Sequence, residues 1–290
     1  MSVCLSRSLS PRLLIYCHAN GEDIGALQEV AYWMVAVMGA HVLMPEYPGY
    51  GMASGQSNEV SVIANVQAAY RFAVDGLGWD PRHVIFLGRS IGTGPAVRLA
   101  ADLACGGLIL ISPYTSVKDL VADHAGALTS WLVAEGPNVF ATDGAMPRVK
   151  CPTIMVHGSR DAVIPSSQCR RLASLVKPST QSSVQILDSC GHSGVELFYA
   201  AVAAANRLIR RHARNHRPLD LSVYLDDPAL QGDTIAACVP AYDVATSSWS
   251  RPTLEAGRMP FRRHAPAGSR ALLAVALPAH LLGAGNHAGV

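Results

Sequence analysis

Gly88-Arg89-Ser90-Ile91-Gly92 stands directly between the apolar run Val84-Ile85-Phe86-Leu87 and an alanine-rich stretch of helical character. A G-x-S-x-G pentapeptide in that setting demands a very sharp turn, which lifts the serine hydroxyl above a sheet where a base can take its proton. Glycine is needed on both sides because a Cβ at either position would collide with the neighbouring strand or helix. The flanking sequence supplies such a sheet. Apolar strand-like runs alternate with helical patterns along the chain, which argues for a mostly parallel sheet with helices on both faces.

The spacing predicts strands at 13–17, 41–45, 83–87, 107–111, 153–157 and 183–187. Helices are expected at 23–38, 58–75, 90–103, 166–176 and 193–212. Ile63, Val66, Tyr70 and Val74 carry the helical period, as do Val195, Phe198, Tyr199, Val202 and Ile209, and these stripes read as core.

Two further loops carry chemistry. His157-Gly158-Ser159-Arg160-Asp161 follows the strand Thr153-Ile154-Met155-Val156, and Ser189-Cys190-Gly191-His192 follows Val184-Gln185-Ile186-Leu187. In a parallel sheet such loops share one edge, so Ser90, Asp161 and His192 can converge there. A serine hydroxyl becomes a competent nucleophile when an imidazole accepts its proton, the part assigned to His192. Asp161 would hold the ring in the correct tautomer and stabilise its charged form. Asp188 is the rival carboxylate, four residues before His192. His18, His124 and His157 are the rival histidines, with His18 and His157 read as loop-bracing residues.

An oxyanion formed on attack needs backbone N–H donors. Ile91 supplies one. The second is expected from the loop after Leu13–Cys17, which reads His18-Ala19-Asn20-Gly21-Glu22-Asp23; Asn20 is favoured, with Ala19 as the rival. Arg89 is read as a solvated residue at a helix start, the other reading being attraction of an anionic group.

The serine–acid–histidine chain order and several short motifs together resemble small intracellular α/β-hydrolase-domain proteins, the group that includes protein depalmitoylases. The motifs are His18 to Asp23, Glu46-Tyr47-Pro48-Gly49-Tyr50-Gly51, Gly88 to Pro95, Ser112-Pro113, His157 to Asp161, and Gly191-His192. The resemblance covers residues 12 to 212. Ala19, Glu46 and Arg89 depart from the usual glycine, aspartate and glutamine of that group, and Cys4 alone stands where its membrane-targeted members carry a cysteine cluster. The resemblance implies an α/β-hydrolase fold and an acyl-enzyme serine hydrolase. Its substrate would be an acyl ester or an S-acylated protein, with no metal or organic cofactor.

The expected organisation is a short segment 1–12, a hydrolase domain over 13–214 with a lid-like insertion at 113–148, and a poorly ordered extension over 215–290. A full α/β-hydrolase has two further strands before the one at Leu13, and here the first two strands are lacking. That would leave the strand at His41–Pro45 on an open edge, which invites association or needs cover. A trimmed sheet, a start not included in this chain, or a tail folding back over the edge would each account for it. The tail has no sustained period, and a membrane-surface or edge-covering role is its second reading.

Composition narrows the partners. A net charge of +2 over 290 residues, with 50% hydrophobic content, fits one domain with a large core and no nucleic-acid partner. The seven cysteines are scattered and show neither metal nor redox spacing. Met1 to Arg12 is too polar and short for a signal peptide, and no apolar run reaches the roughly 20 residues that span a bilayer. A cytoplasmic protein is expected, with peripheral attachment to a membrane as the second reading.

Tyr114, Leu128, Trp131, Leu132, Val133 and Phe140 give the insertion an apolar character suited to an acyl chain, with Tyr114 and Trp131 as substrate contacts. Packing onto the sheet is the equal alternative. Two other functions remain at this stage: a peptidase of the prolyl-oligopeptidase type, and a binding protein on an inactive hydrolase fold.

Overall fold

Eight β-strands assemble into one sheet in the computed structural model, which describes residues 2–6, 12–124, 139–212, 242–243, 248–249 and 272–276. The strands in chain order are β1 (Ser2–Ser6), β2 (Leu13–Cys17), β3 (His41–Pro45), β4 (Val84–Arg89), β5 (Gly107–Ile111), β6 (Thr153–Gly158) and β7 (Ser182–Leu187). A two-residue ribbon, β8 (Tyr242–Asp243) with β9 (Ser248–Trp249), precedes the last strand, β10 (Leu272–Ala276). The helices are α1 (Gln28–Met38), α2 (Glu59–Arg71), α3 (Thr93–Asp102), α4 (Val117–His124), α5 (Thr142–Ala145), α6 (Ser166–Leu175) and α7 (Val195–His212).

Strand order across the sheet is β10-β1-β3-β2-β4-β5-β6-β7. The six strands from β3 to β7 run parallel, because each crossover returns the chain to the same edge through a helix. From β2 the chain first steps to β3 on one side, and later to β4 on the other. That reversal makes the C-terminal ends of β2 and β4 the topological switch point, the place where open α/β sheets hold their ligands.

Side chains alternate across the sheet and so divide the core in two. Leu13, Ile15, Phe86, Leu108 and Leu110 face one way and pack under Val62 and Val66 of α2, Val97 of α3 and Leu172 of α6. Leu14, Tyr16, Leu87, Ile109 and Ile111 face the other way against Met34 of α1 and Leu197 and Ala201 of α7. Two-sided burial is why these strands read as continuous apolar runs rather than as alternating ones.

The central strands lie within a residue or two of where the apolar runs place them. Two helices start or end differently. The first begins at Gln28 rather than 23, since residues 23–27 form turns in which the Asp23 carboxylate accepts the Ala26 N–H at 2.8 Å. The second passes into a π-helical segment, Phe72–Gly76, after Arg71, and a capping box between Asn58 and Ser61 fixes its start.

The edge at β3 is covered. β1 lies antiparallel beside it, pairing Val3 with Pro45 through Ser6 with Val42, and β10 lies antiparallel beyond β1. Two strands thus occupy the flank that looked empty, one from the segment before Leu13 and one from the tail. Neither belongs to the alternation of strand and helix that marks the central strands. Most of the extension over 215–290, and residues 125–138 of the insertion, lie outside the described residues. Among the described residues no helix is long and apolar enough to cross a membrane.

Phe86 is fully buried at the sheet centre, stacked on Tyr70 with ring centroids 5.8 Å apart. Phe86→Ala is expected to lower unfolding stability by about 3–5 kcal/mol. By contrast Met52, fully exposed, should tolerate alanine within about 0.5 kcal/mol. Chemical denaturation of the two variants checks this contrast.

Candidate active site

Ser90 sits at the rim where β4 meets α3, with φ of 51°. Residues other than glycine rarely occupy that left-handed region, so the surroundings must hold it there. Thr93 helps: its buried hydroxyl donates to the Ser90 carbonyl at 2.7 Å. Crowding does the rest. A Cβ on Gly88 would come within 2.5 Å of the Gly92 carbonyl, and one on Gly92 would run into the Cys17 and His18 carbonyls at the end of β2.

Asp161 and His192 arrive on the loops after β6 and β7. Those loops are stitched together: Ser159 N–H donates to the Leu187 carbonyl and Arg160 N–H to the Cys190 carbonyl, both at 2.9 Å. Ser189 N–H adds a bond to the Ser159 hydroxyl at 3.1 Å. Gly158 permits this closeness, since a Cβ there would meet the Cys190 carbonyl.

The three side chains meet. His192 Nε2 is 3.0 Å from Ser90 Oγ, and its Nδ1 is 2.7 Å from Asp161 Oδ2. A carboxylate only accepts, so Nδ1 carries the proton and Nε2 offers its lone pair to the serine hydroxyl. Asp188, the rival acid, is exposed, and it is Asp161 that His192 meets.

Asp161 Oδ1 accepts the N–H groups of Val163 at 2.9 Å and Ile164 at 2.8 Å. Burial pushes this carboxyl upward. Hydrogen bonds from His157, His192 and the Ile164 N–H outweigh that and hold it well below the usual carboxylate range. His157 takes the bracing role, with Nε2 2.8 Å from the Ile164 carbonyl and 3.3 Å from Asp161 Oδ2.

Of the two expected oxyanion donors, Ile91 lies in the first turn after the serine, where a helical N–H has no preceding carbonyl to bond. In the β2–α1 loop the Ala19 N–H donates to Glu22 Oε2 at 2.7 Å, whereas the Asn20 N–H finds no acceptor among the described residues. The loop is braced from the segment just after β3: Tyr47 donates to the His18 carbonyl at 3.0 Å, and Glu46 Oε2 accepts the Ile24 N–H at 3.0 Å. His18 is buried, stacked on Tyr47 with its Nε2 3.2 Å from Glu46 Oε1.

The substrate contacts come out differently. Tyr114 is 1% exposed, and its hydroxyl donates to the Ile91 carbonyl at 3.2 Å. It therefore props the turn beside Ser90 instead of facing an open cleft, because Gly94 leaves room for the tyrosine hydroxyl against α3. Trp131 lies outside the described residues, as do Leu128, Leu132 and Val133.

Arg89 is not solvated. Its guanidinium pairs with Glu22 Oε1 and lies over the Phe198 ring, 5.5 Å from the centroid. Neither residue carries a period or a motif that would join β4 to the β2–α1 loop, so only the parallel pairing of β2 with β4 reveals the contact.

No family model matches the chain. It is 31% identical over 189 residues to the alpha/beta hydrolase domain-containing protein aho-3 of Caenorhabditis elegans, covering 64% of this chain and 54% of that one. It is 28% identical over 185 residues to human alpha/beta hydrolase domain-containing protein 17B, covering 64% and 62%. The chain thus spans between half and two thirds of the length of these curated relatives.

Among solved structures, a monoacylglycerol lipase of Paleococcus ferrophilus superposes with a TM-score of 0.55 at 18% identity, over 71% of this chain and 98% of that one. The Pyrococcus furiosus esterase Pf2001 does so with 0.57 at 16% identity, over 70% and 83%. Mouse alpha/beta hydrolase domain-containing protein 10 gives 0.54 at 16% identity, over 72% and 93%. The chain has the α/β-hydrolase fold, and its curated relatives are α/β-hydrolase-domain proteins.

The depressed Asp161 carboxyl makes a signed prediction. The unfolded chain takes up this proton near pH ~3.9, the folded chain only at lower pH, so the stability from ionised Asp161 is complete above that value. It is lost as pH falls toward the folded value. The stability difference between the parent and Asp161→Asn should therefore shrink by about 1 kcal/mol between pH 6 and pH 3. Urea unfolding at the two pH values measures it, and an unchanged difference contradicts the assignment of the charge.

Proposed function

We propose that this chain is a serine hydrolase that cleaves an acyl ester or thioester through an acyl-enzyme intermediate, with the thioester of an S-acylated protein as its substrate class. The observation that carries the proposal is the continuous relay from Ser90 Oγ through His192 to Asp161, with links of 3.0 and 2.7 Å. A hydroxyl, an imidazole and a held carboxylate in line are what nucleophilic acyl transfer requires. The preference for S-acylated proteins is supported only by the likeness to the depalmitoylase-containing group.

Each residue then has one task. His192 Nε2 takes the hydroxyl proton as Ser90 Oγ attacks the acyl carbonyl. The carbonyl oxygen gains the negative charge and is held by the N–H groups of Ile91 and Asn20. Asp161 keeps the proton on Nδ1 and stabilises the imidazolium. His192 next gives its proton to the departing alcohol or thiol as the carbonyl re-forms. Water enters, His192 takes its proton, and the hydroxide equivalent attacks the acyl carbon. The acid leaves and Ser90 regains its hydrogen.

Turnover of p-nitrophenyl esters and acyl thioesters of graded chain length tests the reading. Ser90→Ala and His192→Ala should each lower kcat by on the order of a million-fold, and the double variant should be scarcely worse, because the residues act as one unit. Losses that add, or release of peptidyl leaving groups without ester turnover, would overturn the assignment.

A further inference from the structure

Immediately before the proposed nucleophile, Arg89 closes β4, and its side chain reaches across to the β2–α1 loop. There Glu22 gathers three donors: Arg89 on Oε1, and on Oε2 the Ala19 N–H at 2.7 Å and the Tyr16 hydroxyl at 3.4 Å. The Arg89 and Glu22 side chains are 12% and 19% exposed. Every other arginine–carboxylate pair among the described residues has an arginine more than half exposed. Exposed pairs couple weakly because water and salt screen them, whereas a part-buried pair under an aromatic ring holds its geometry.

The location matters more than the strength. Residues 18–24 are held from the segment just after β3 by the Tyr47 hydroxyl on the His18 carbonyl and by Glu46 on the Ile24 N–H. Tyr50 also donates to the Asn20 side chain at 2.6 Å. Among the described residues the backbone N–H of Ala19 is bonded only to Glu22, and Glu22 is tied to β4 only by Arg89. If that carboxylate let go, the Ala19 N–H would lose its partner and the loop its tie to β4, although the His18 carbonyl keeps the Tyr47 hydroxyl and the Ala19 carbonyl keeps the Glu22 N–H at 3.3 Å. The Ala19 and Asn20 N–H groups would then compete for the same direction.

We infer that Arg89 and Glu22 are positioning residues that tie the oxyanion loop to the nucleophile turn, occupying the Ala19 N–H so that the Asn20 N–H is the one presented to the developing oxyanion. The inference rests on the serine-hydrolase reading above and deepens it. It assigns both residues an effect on the transition state and little on ground-state binding, since neither is asked to touch substrate.

The experiment uses the full chain with p-nitrophenyl butyrate and an alkyl trifluoromethyl ketone, which adds to the serine and places a tetrahedral oxyanion in the site. Arg89→Met and Glu22→Gln should each lower kcat about ten- to a hundred-fold with KM held within about twofold. The ketone should weaken by the same factor as kcat/KM. The double variant should be no worse than the poorer single, and Arg89→Lys, which keeps the charge, should recover most of the rate.

Melting curves accompany each variant, and Arg89→Lys and Glu22→Gln preserve size, so a misfolded Arg89→Met does not end the test. Unchanged kcat, an unchanged ketone affinity, or losses that add in the double variant would overturn the inference. A parent chain with no Ser90-dependent turnover counts instead against the hydrolase reading. An active parent with indifferent variants counts against the tie alone.

Discussion

Backbone crowding at Gly92, against the Cys17 and His18 carbonyls, is the constraint on which the remaining geometry hangs. It brings the start of α3 into contact with the end of β2, which could happen only where no Cβ intervenes. The left-handed turn at Ser90 is forced by that approach, and the turn in turn aims the hydroxyl above the rim. Because β2 is the strand whose loop faces the turn, one contact sets both the Ser90 hydroxyl and the backbone N–H groups beside it. The same device recurs at Gly158, where a missing Cβ lets the loops carrying Asp161 and His192 lie against each other.

Around that backbone frame the polar groups form two assemblies. One is the relay from Ser90 to Asp161, whose carboxylate is stabilised by backbone N–H groups and by His157. The other is the network at residues 18–24, to which Tyr47, Glu46, Glu22 and Arg89 all contribute. Ala19, Glu46 and Arg89, the three departures from the resembling group, all fall in the second assembly. A change in one of its members alters what the others must hold.

Much of this is legible in the sequence. The apolar runs gave the central strands because both faces of a parallel sheet are buried, and the strand–turn–helix pentapeptide located the rim. His192 and Asp161 could be named because a parallel sheet brings successive loops to one edge. What could not be read was lateral contact. Arg89 looked solvated because sequence carries no sign of which loop lies beside β4. Tyr114 looked like a substrate contact because an aromatic after a strand can face a cleft or a helix equally well, and only the space at Gly94 decides. β1 and β10 were missed for another reason. Each stands outside the strand–helix alternation, and their pairing joins opposite ends of the chain.

The most direct test of the account is where a fluorophosphonate reagent reacts with the full chain, read by intact mass and peptide mapping. An activated serine predicts one adduct per chain, on Ser90, and none after unfolding in urea. An adduct on another residue, or a native chain left unlabelled, would contradict it.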